Sequence, residues 1–292
     1  MLLTILTPTY NRGKFLRKLY KSLLRQEIFE FQWLIIDDGS TDDTGIIVKE
    51  FENSFFRVDY YFKDNGGKHT ALNFSHPYIL GDWVFVVDSD DILTRDAIEL
   101  VMQYIEKYKS INRVGAISFE RMNKQGILLS KNNFNGELVS NAIDYRINSN
   151  IIGDQAEIYR TKIFKLFKFP VFDGEKFLSE SFLHINAAYI CDTLYVSKPI
   201  YVTEYLDDGL TKSGRRMRLR NPLGGQVHGS LYFSKRFKLK YRIKGMLLYI
   251  SYGLFAGQSI TAMYRKTGYK ELFVMNLPLG ILLYFYWRFK YC

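Results

Sequence analysis

Trp83-Val84-Phe85-Val86-Val87-Asp88-Ser89-Asp90-Asp91 is the stretch on which the reading of this chain turns. Its first five residues are aromatic or mostly β-branched and predict a buried strand. The acidic group follows with no spacer. The same succession occurs earlier, where Trp33-Leu34-Ile35-Ile36 runs into Asp37-Asp38-Gly39-Ser40-Thr41-Asp42. Helix capping accounts for Ser40 and Asp42, but capping does not require four acidic or hydroxyl residues in a row. In open α/β sheets ligands bind beyond the carboxyl ends of the strands, so both acidic groups fall where a ligand would sit. Hard divalent cations take oxygen ligands, and Mg²⁺ is commonly held by one or two carboxylates together with substrate phosphates. The pattern points to a metal-bridged nucleotide diphosphate.

Outward from these strands the first 120 residues alternate strand and helix. Strands are predicted at 2–6, 33–36, 58–62, 83–87 and 114–119. Between them the helical stretches are 13–26, 42–51, 68–78 and 95–108. Phe15, Leu16, Leu19, Tyr20, Leu23 and Leu24 form the apolar stripe of the first helix. Such alternation predicts an α/β fold with a mostly parallel, doubly wound sheet. Residues 120–150 are polar and rich in turn signals, as in a hairpin or excursion.

The formal charge of +10 is unevenly distributed. From residue 209 onward, sixteen Lys and Arg stand against Glu271 alone, giving +15, so residues 1–208 carry −5. This predicts a catalytic domain over 1–208 and a basic, apolar, helical region over 209–292 that meets an anionic partner. Hydrophobic content of 47% excludes a disordered chain. Cys191 and Cys292 have no metal-ligand spacing and suit a reducing compartment. The N-terminus lacks a basic leader pattern and reads as the first strand, so the protein is expected to face the cytosol.

Four motifs follow four successive strands: Thr7-Pro8-Thr9-Tyr10-Asn11-Arg12, Asp37-Asp38-Gly39-Ser40-Thr41-Asp42, Asn65-Gly66-Gly67-Lys68-His69 and Asp88-Ser89-Asp90. As a set, over about residues 1–205, they resemble the inverting family 2 glycosyltransferases of the GT-A fold, and among these the bacterial enzymes that build surface glycans such as capsule. The resemblance implies a metal-dependent hexosyl transfer from a nucleotide-sugar donor, a UDP-sugar. It implies that Thr7, Pro8, Thr9 and Tyr10 line the base and that Asp38 accepts a hydrogen bond from the uracil ring. Gly67 and Lys68 would approach ribose or phosphate, and Asp88 and Ser89 the donor. Asp90, with Asp88, would hold Mg²⁺ or Mn²⁺. A general base is also implied, from an acidic pair late in the domain. Glu180 is the first choice, although Ser181 replaces the second acid of the pair, and Glu175 and Asp154 follow. Asp91 is read as anchoring the loop or the next helix.

Lys212, Arg215 and Arg216 lie in a Gly-containing basic segment, read either as a flexible lid over the diphosphate or as a lipid-facing strip. The uncharged runs 246–264 and 272–287, with flanking cations and interfacial Tyr and Trp, predict in-plane membrane association, with buried helices of a small C-terminal domain as the alternative and a single spanning segment less favoured still. The expected setting is peripheral or monotopic, on the cytoplasmic side of the cell membrane, with a saccharide acceptor linked to a polyprenyl diphosphate. Two rivals are weaker. A nucleotidyltransferase would show a Gly-rich basic signature after the first strand. A nucleic-acid-binding module leaves Asp88–Asp91 unexplained and does not fit the apolar tail, so no nucleic-acid partner is expected.

Overall fold

The computed structural model of the protein describes residues 2–130, 132–151, 153–203 and 210–291, apart from the side chains of 210–213. The chain forms two compact units, Met1–Lys168 with Ala187–Glu204, and Phe169–Asn186 with Tyr205–Cys292. Segment 169–186 thus belongs to the second unit although it lies well before residue 208.

The first unit runs β1 (Leu3–Thr9), α1 (Gly13–Leu23), β2 (Phe31–Asp37), α2 (Thr44–Lys49), β3 (Arg57–Phe62), α3 (Lys68–Ser75), β4 (Trp83–Val86), β5 (Ile92–Leu93), α4 (Ala97–Tyr108), β6 (Val114–Asn123), β7 (Glu137–Ser140), β8 (Gln155–Arg160) and α5 (Thr161–Leu166). After α6 (Ser181–Ala187) the chain returns as β9 (Asp192–Thr203). The strands form one sheet ordered β3-β2-β1-β4-β8-β6-β9-β5, with β7 also on β9. The first four are mutually parallel, as is the β6–β9 pair. Pairing turns antiparallel on both sides of β8 and at β5 and β7. The α/β reading holds, and the parallel block is the part that the strand–helix alternation foretold. The two-residue β5 carries too little sequence to be read in advance.

Burial explains the pattern. β1 and β2 are buried along their whole length, because helices cover both faces of a parallel sheet. Leu16, Leu19 and Leu23 of α1 join Trp33, Phe51 and Phe85 in one core. Tyr20 stacks on Phe51 with centroids 4.2 Å apart.

The second unit contains α7 (Leu210–Leu219), α8 (Pro222–Ser230), α9 (Leu239–Phe255), α10 (Ile260–Lys266) and α11 (Lys270–Tyr291). Two expectations are corrected here. The basic segment 210–219 is helical, with a break at Gly214 (φ 45°), rather than an open glycine loop. The uncharged run 246–264 is not one membrane-facing helix. It bends at Gly257 (φ 72°), and Ser259 caps α10 by accepting from the Ala262 amide at 3.1 Å. Met246, Tyr249 and Ile250 of that run pack with Phe233, Met263 and Phe273 into a second core. An apolar run long enough for lipid is equally suited to the interior of a helical unit, and here neighbouring helices cover most of its first half, 246–253.

α8 and α9 cross with their backbones touching: a Cβ on Gly229 would lie 2.7 Å from the Gly245 carbonyl oxygen. Gly229→Leu should therefore force the helices apart and cost about 1–3 kcal/mol, the usual range for overpacking. Urea unfolding followed by tryptophan fluorescence checks this, since Trp287 packs against α9 through Tyr252 at 5.2 Å.

Candidate active site

Parallel pairing brings the carboxyl ends of β3, β2, β1 and β4 to one edge. Thr9 pairs with Asp37 and Asp37 with Phe62, while Leu6 pairs with Val86. The ladder continues one residue into the loops: the Asp38 amide donates to the Thr9 carbonyl at 2.8 Å, Lys63 to Asp37 at 2.9 Å and Val87 to Leu6 at 2.9 Å. All four motifs thus leave the sheet along the same rim.

Loop-to-loop hydrogen bonds fix their shapes. Asn11, at φ 51°, accepts with Oδ1 from the Thr41 amide (2.8 Å) and the Asp42 amide (3.3 Å), and its own amide donates to Ser40 Oγ (2.8 Å). Asp37 is buried, accepting from the Ser40 amide at 2.7 Å and Tyr60 Oη at 2.8 Å. Asp42 accepts from Thr44 Oγ1 and its amide and, at 3.5 Å, from the Gly13 amide. Burial raises its pKa, but these bonds outweigh burial and leave it lowered. Gly39 stands at φ 85°, and a Cβ there would meet the Asn65 amide at 2.7 Å, so only glycine lets the second and third motifs touch.

Asp38 has a different task from the one its motif suggested. Its carboxylate is buried and accepts from Lys63 Nζ at 2.6 Å, the Gly67 amide at 2.6 Å, the Gly66 amide at 3.1 Å and Asn65 Nδ2 at 3.1 Å. An ionised carboxylate offers about four acceptor positions, and these four donors fill them. Asp38 is built to hold the Asn65–Gly67 loop, which leaves little capacity to read a uracil ring directly.

The other predicted residues divide by exposure. Thr7, Pro8, Thr9 and Ser89 are buried. Thr7 Oγ1 accepts from the Trp33 indole at 3.0 Å, a core contact rather than a ligand contact. Thr9 Oγ1 is a buried hydroxyl without a hydrogen-bond partner. Tyr10, at 47% exposure, presents its ring to solvent at the rim. Gly67, at φ 91°, precedes α3, and Lys68 at the start of that helix reaches across to contact Asp88.

The Asp88–Asp91 loop concentrates charge. Burial pushes the Asp88 carboxyl up, but Lys68 and Arg121 outweigh it and hold its pKa low. Burial and the adjacent Asp88 push Asp90 up. The same two causes push Asp91 up to about 7 against the pull of Arg121. Behind the loop, the Asp88 amide donates to Tyr201 Oη at 2.8 Å, and Arg121 lies 3.9 Å from the Tyr201 ring centroid and 3.8 Å from Asp91. Asp91 thus faces inward as the loop anchor. Arg121 and Tyr201 escaped the sequence reading. They meet because register shifts in the β6–β9 pairing between Phe119 and Arg121 set Arg121 opposite Tyr201, which no local pattern announces.

Among the described residues no three His, Cys, Asp or Glu side chains form a metal cage. The donor set nonetheless fits a Mg²⁺ or Mn²⁺ ion. Asp90 is crowded by a like charge that a cation would relieve, and two carboxylates leave coordination positions for substrate phosphates.

The remaining candidates are apart from this cluster in the sequence. Asp154 is exposed just before β8. Glu180 is half-buried at the start of α6, its carbonyl accepting from the Leu183 amide at 2.9 Å. Glu175 is committed elsewhere: its carboxylate accepts from the Leu223 and Gly224 amides at 2.7 and 2.8 Å, satisfying the N-terminus of α8. Arg215 donates to Tyr252 Oη at 2.9 Å and covers the Trp287 ring at 4.1 Å. Arg216 is exposed, and the Lys212 side chain lies outside the described residues.

With the rim assembled, the comparisons have a physical counterpart. The family model described as "Glycosyl transferase family 2" matches residues 4–174, more than half of the chain. The chain belongs to that family. It is 33% identical over 126 residues to an uncharacterized glycosyltransferase, MG060, of Mycoplasma genitalium, covering 41% of each chain. It is 34% identical over 113 residues to the glycosyltransferase GlyA of Streptococcus pneumoniae, covering 39% of this chain and 16% of that one. The chain thus matches about two fifths or less of these relatives' length. S. aureus TarS 1-349 in complex with UDP-GlcNAc superposes with a TM-score of 0.68 at 19% identity, over 96% of this chain and 81% of that one. The mannosyltransferase PcManGT from Pyrobaculum calidifontis, in complex with GDP-Man and Mn²⁺, gives 0.57 at 17% identity, over 98% and 81%. At such identities the likeness concerns the fold, and it agrees with a GT-A architecture.

Asp38→Ala should cost about 1–3 kcal/mol, because it leaves two loop amides without their acceptor and takes the carboxylate from the partly buried Lys63 ammonium. Thermal unfolding reads the loss, and nucleotide binding should fall with it as the Asn65–Gly67 loop opens.

Proposed function

We propose that this family 2 glycosyltransferase transfers a sugar from a nucleotide diphosphate donor, a UDP-sugar, to a saccharide hydroxyl with inversion, in the making of a cell-surface polysaccharide such as capsule. The observation that carries this reading is the Asp88–Asp91 loop at the end of β4, contacted by Lys68 from the start of α3 and backed by Arg121 and Tyr201. Solved relatives of the fold in complex with UDP-GlcNAc and GDP-Man support a nucleotide-sugar donor.

Each residue then has a physical task. Tyr10 offers an exposed ring against which the base stacks. The Asn65–Gly67 loop, held by Asp38, brings backbone close to the ribose. Lys68 supplies a point charge for the diphosphate. Asp90 and Asp88 would hold Mg²⁺ or Mn²⁺, which when bound screens the diphosphate and stabilises its charge as the nucleotide leaves. Glu180 is the proposed base. The acceptor hydroxyl oxygen attacks the anomeric carbon from the side opposite the leaving group, the bond to the diphosphate oxygen breaks, and the hydroxyl proton passes to the Glu180 carboxylate. Of the two other acids, Glu175 is weakened by its capping role. Asp154 remains as the residue that orients the acceptor sugar. Arg216, with Lys212, is the proposed part of the basic segment that meets the diphosphate.

The acceptor is proposed to be a glycan on a polyprenyl diphosphate, met at the cytoplasmic side of the cell membrane by a peripherally bound enzyme. α11 supports this. It is the one described helix whose length and mean hydropathy of 1.4 would suffice to cross a bilayer. One face is covered by protein, with Ser251 Oγ donating to the Gly280 carbonyl at 2.9 Å and Phe273 in the core. The other face exposes Met275, Leu279, Leu282, Phe285 and Phe289, the last at 93%. A helix packed on one side and apolar on the other, with Lys270, Arg288 and Lys290 at its ends, suits in-plane insertion into an anionic surface.

Replacing Asp90 by Ala should abolish transfer and metal-dependent stabilisation by UDP while leaving the unfolding transition of the ligand-free protein unchanged. Full activity of that variant would overturn the site. Glu180→Gln should lower turnover by about 10²–10⁴-fold with donor binding retained, measured by stopped assays alongside UDP titration. The reverse result, with Asp154→Asn inactive and Glu180→Gln active, moves the base to Asp154.

The lipid contact is tested by co-sedimentation. The protein should pellet with vesicles containing phosphatidylglycerol and less with neutral ones. High salt should weaken that association without eliminating it, since apolar insertion is not screened. Met275→Glu combined with Leu282→Glu should release the protein from both.

A further inference from the structure

The helical unit carries a cationic cluster that the transfer chemistry does not use. The backbone contact between Gly229 and Gly245 brings the preceding residues, His228 of α8 and Lys244 of α9, to one crossing. α7 adds two arginines. Arg215 is pinned by Tyr252 Oη and the Trp287 ring, and the Arg218 guanidinium stands 5.6 Å from the Phe177 ring. Among the described residues none of Arg215, Arg218 and Lys244 forms an ion pair with a carboxylate. Beside the Gly229–Gly245 crossing the His228 imidazole lies edge-on to Tyr232, ring centroids 5.4 Å apart, and its buried Nδ1 has no hydrogen-bond partner among the described residues.

The electrostatics agree with the geometry. Burial, followed by Arg218, Lys244 and Arg215, pulls the His228 pKa down to about 4. Burial raises the neighbouring Tyr232, with Arg218 opposing and Tyr241 of α9 reinforcing. Among the described residues no carboxylate is among the causes of either shift, although Glu175 lies in the same unit, where it caps α8. Three cations gathered around a neutral imidazole repel one another unless an anion joins them.

We propose that Arg218, Lys244 and His228, with Arg215 behind them, form a binding site for a phosphate ester. The arginine fork matches two phosphate oxygens, the ammonium supplies a point charge, and the imidazole gains a partner for its orphaned nitrogen. This site is additional to the diphosphate contacts at the sheet rim. A phosphate ester reaches it from one of two sources, an anionic lipid headgroup or a phosphate within the acceptor glycan. The acceptor assignment rests on the transferase reading, whereas anion binding at His228 does not.

The test uses the full chain with isotope-labelled histidine and follows the His228 imidazole by NMR, assigned by its loss in His228→Gln. Inorganic phosphate should move that resonance saturably and raise its pKa by about a unit or more, because a nearby anion favours the imidazolium. His69, His76 and His184 should stay in place. Arg218→Gln and Lys244→Gln should each weaken the phosphate response about tenfold, with unchanged far-UV circular dichroism, and Arg218→Lys should restore part of it. Competition by water-soluble short-chain phosphatidic acid below the concentration needed for glycerol phosphate assigns the lipid source, and the reverse order assigns the glycan. No His228 response to phosphate, or an equal response to chloride at matched ionic strength, overturns the proposal. UDP-sugar binding measured on the same variants reports separately on the donor site, so failure of one reading does not imply failure of the other.

Discussion

Parallel pairing of β3, β2, β1 and β4 is the constraint on which the site depends. Strands that run the same way must end on the same side, so four segments separated in sequence by helices deliver their loops to a single edge. The register sets how closely they meet. Because Thr9, Asp37 and Phe62 are neighbours across the sheet, the loops behind them begin within hydrogen-bonding distance of one another. The core under β1 and β2 is fully buried, and this rigidity keeps the loop ends from drifting.

On that edge the charges sort into structural and chemical groups. Asp37, Asp38 and Asp91 are buried, and each is answered by donors or cations from a neighbouring loop or strand. Asp88 and Asp90 remain half-buried, with burial and mutual repulsion lifting Asp90. Buried carboxylates that are fully answered build a scaffold, while partly exposed ones under repulsion have electrostatic reason to accept a cation. The division follows from solvent access and not from residue type, since all five are aspartates.

The helical unit shows the same economy with apolar surface. Two uncharged runs of similar look have different fates. The first packs its α9 part, Met246 to Gly253, against α8 and α11 and exposes most of its α10 part. The second, α11, lays one face on that interior and leaves the other bare. Close helix crossings at Gly229, Gly245 and Gly280 make this packing possible, since a side chain at any of them would collide with the facing helix.

Strands β1 to β4 and β6, the helices between them and the placement of Asp88 and Asp90 at a strand end were legible in the sequence, because strand hydrophobicity is local and the ends of parallel strands follow from alternation alone. Asp91 as an anchor was legible too, from its position behind the acidic pair. Tertiary structure decided the rest. The identity of a carboxylate's donors depends on segments that meet only after folding. Asp38 became the clasp of the Asn65–Gly67 loop, and Glu175 the cap of α8. Arg121 and Tyr201 are eighty residues apart and meet through irregularities in a strand pairing, which leave no trace in hydrophobic period. The run 246–264 could not declare its surroundings, because the same apolar side chains gain as much from burial in protein as from burial in lipid.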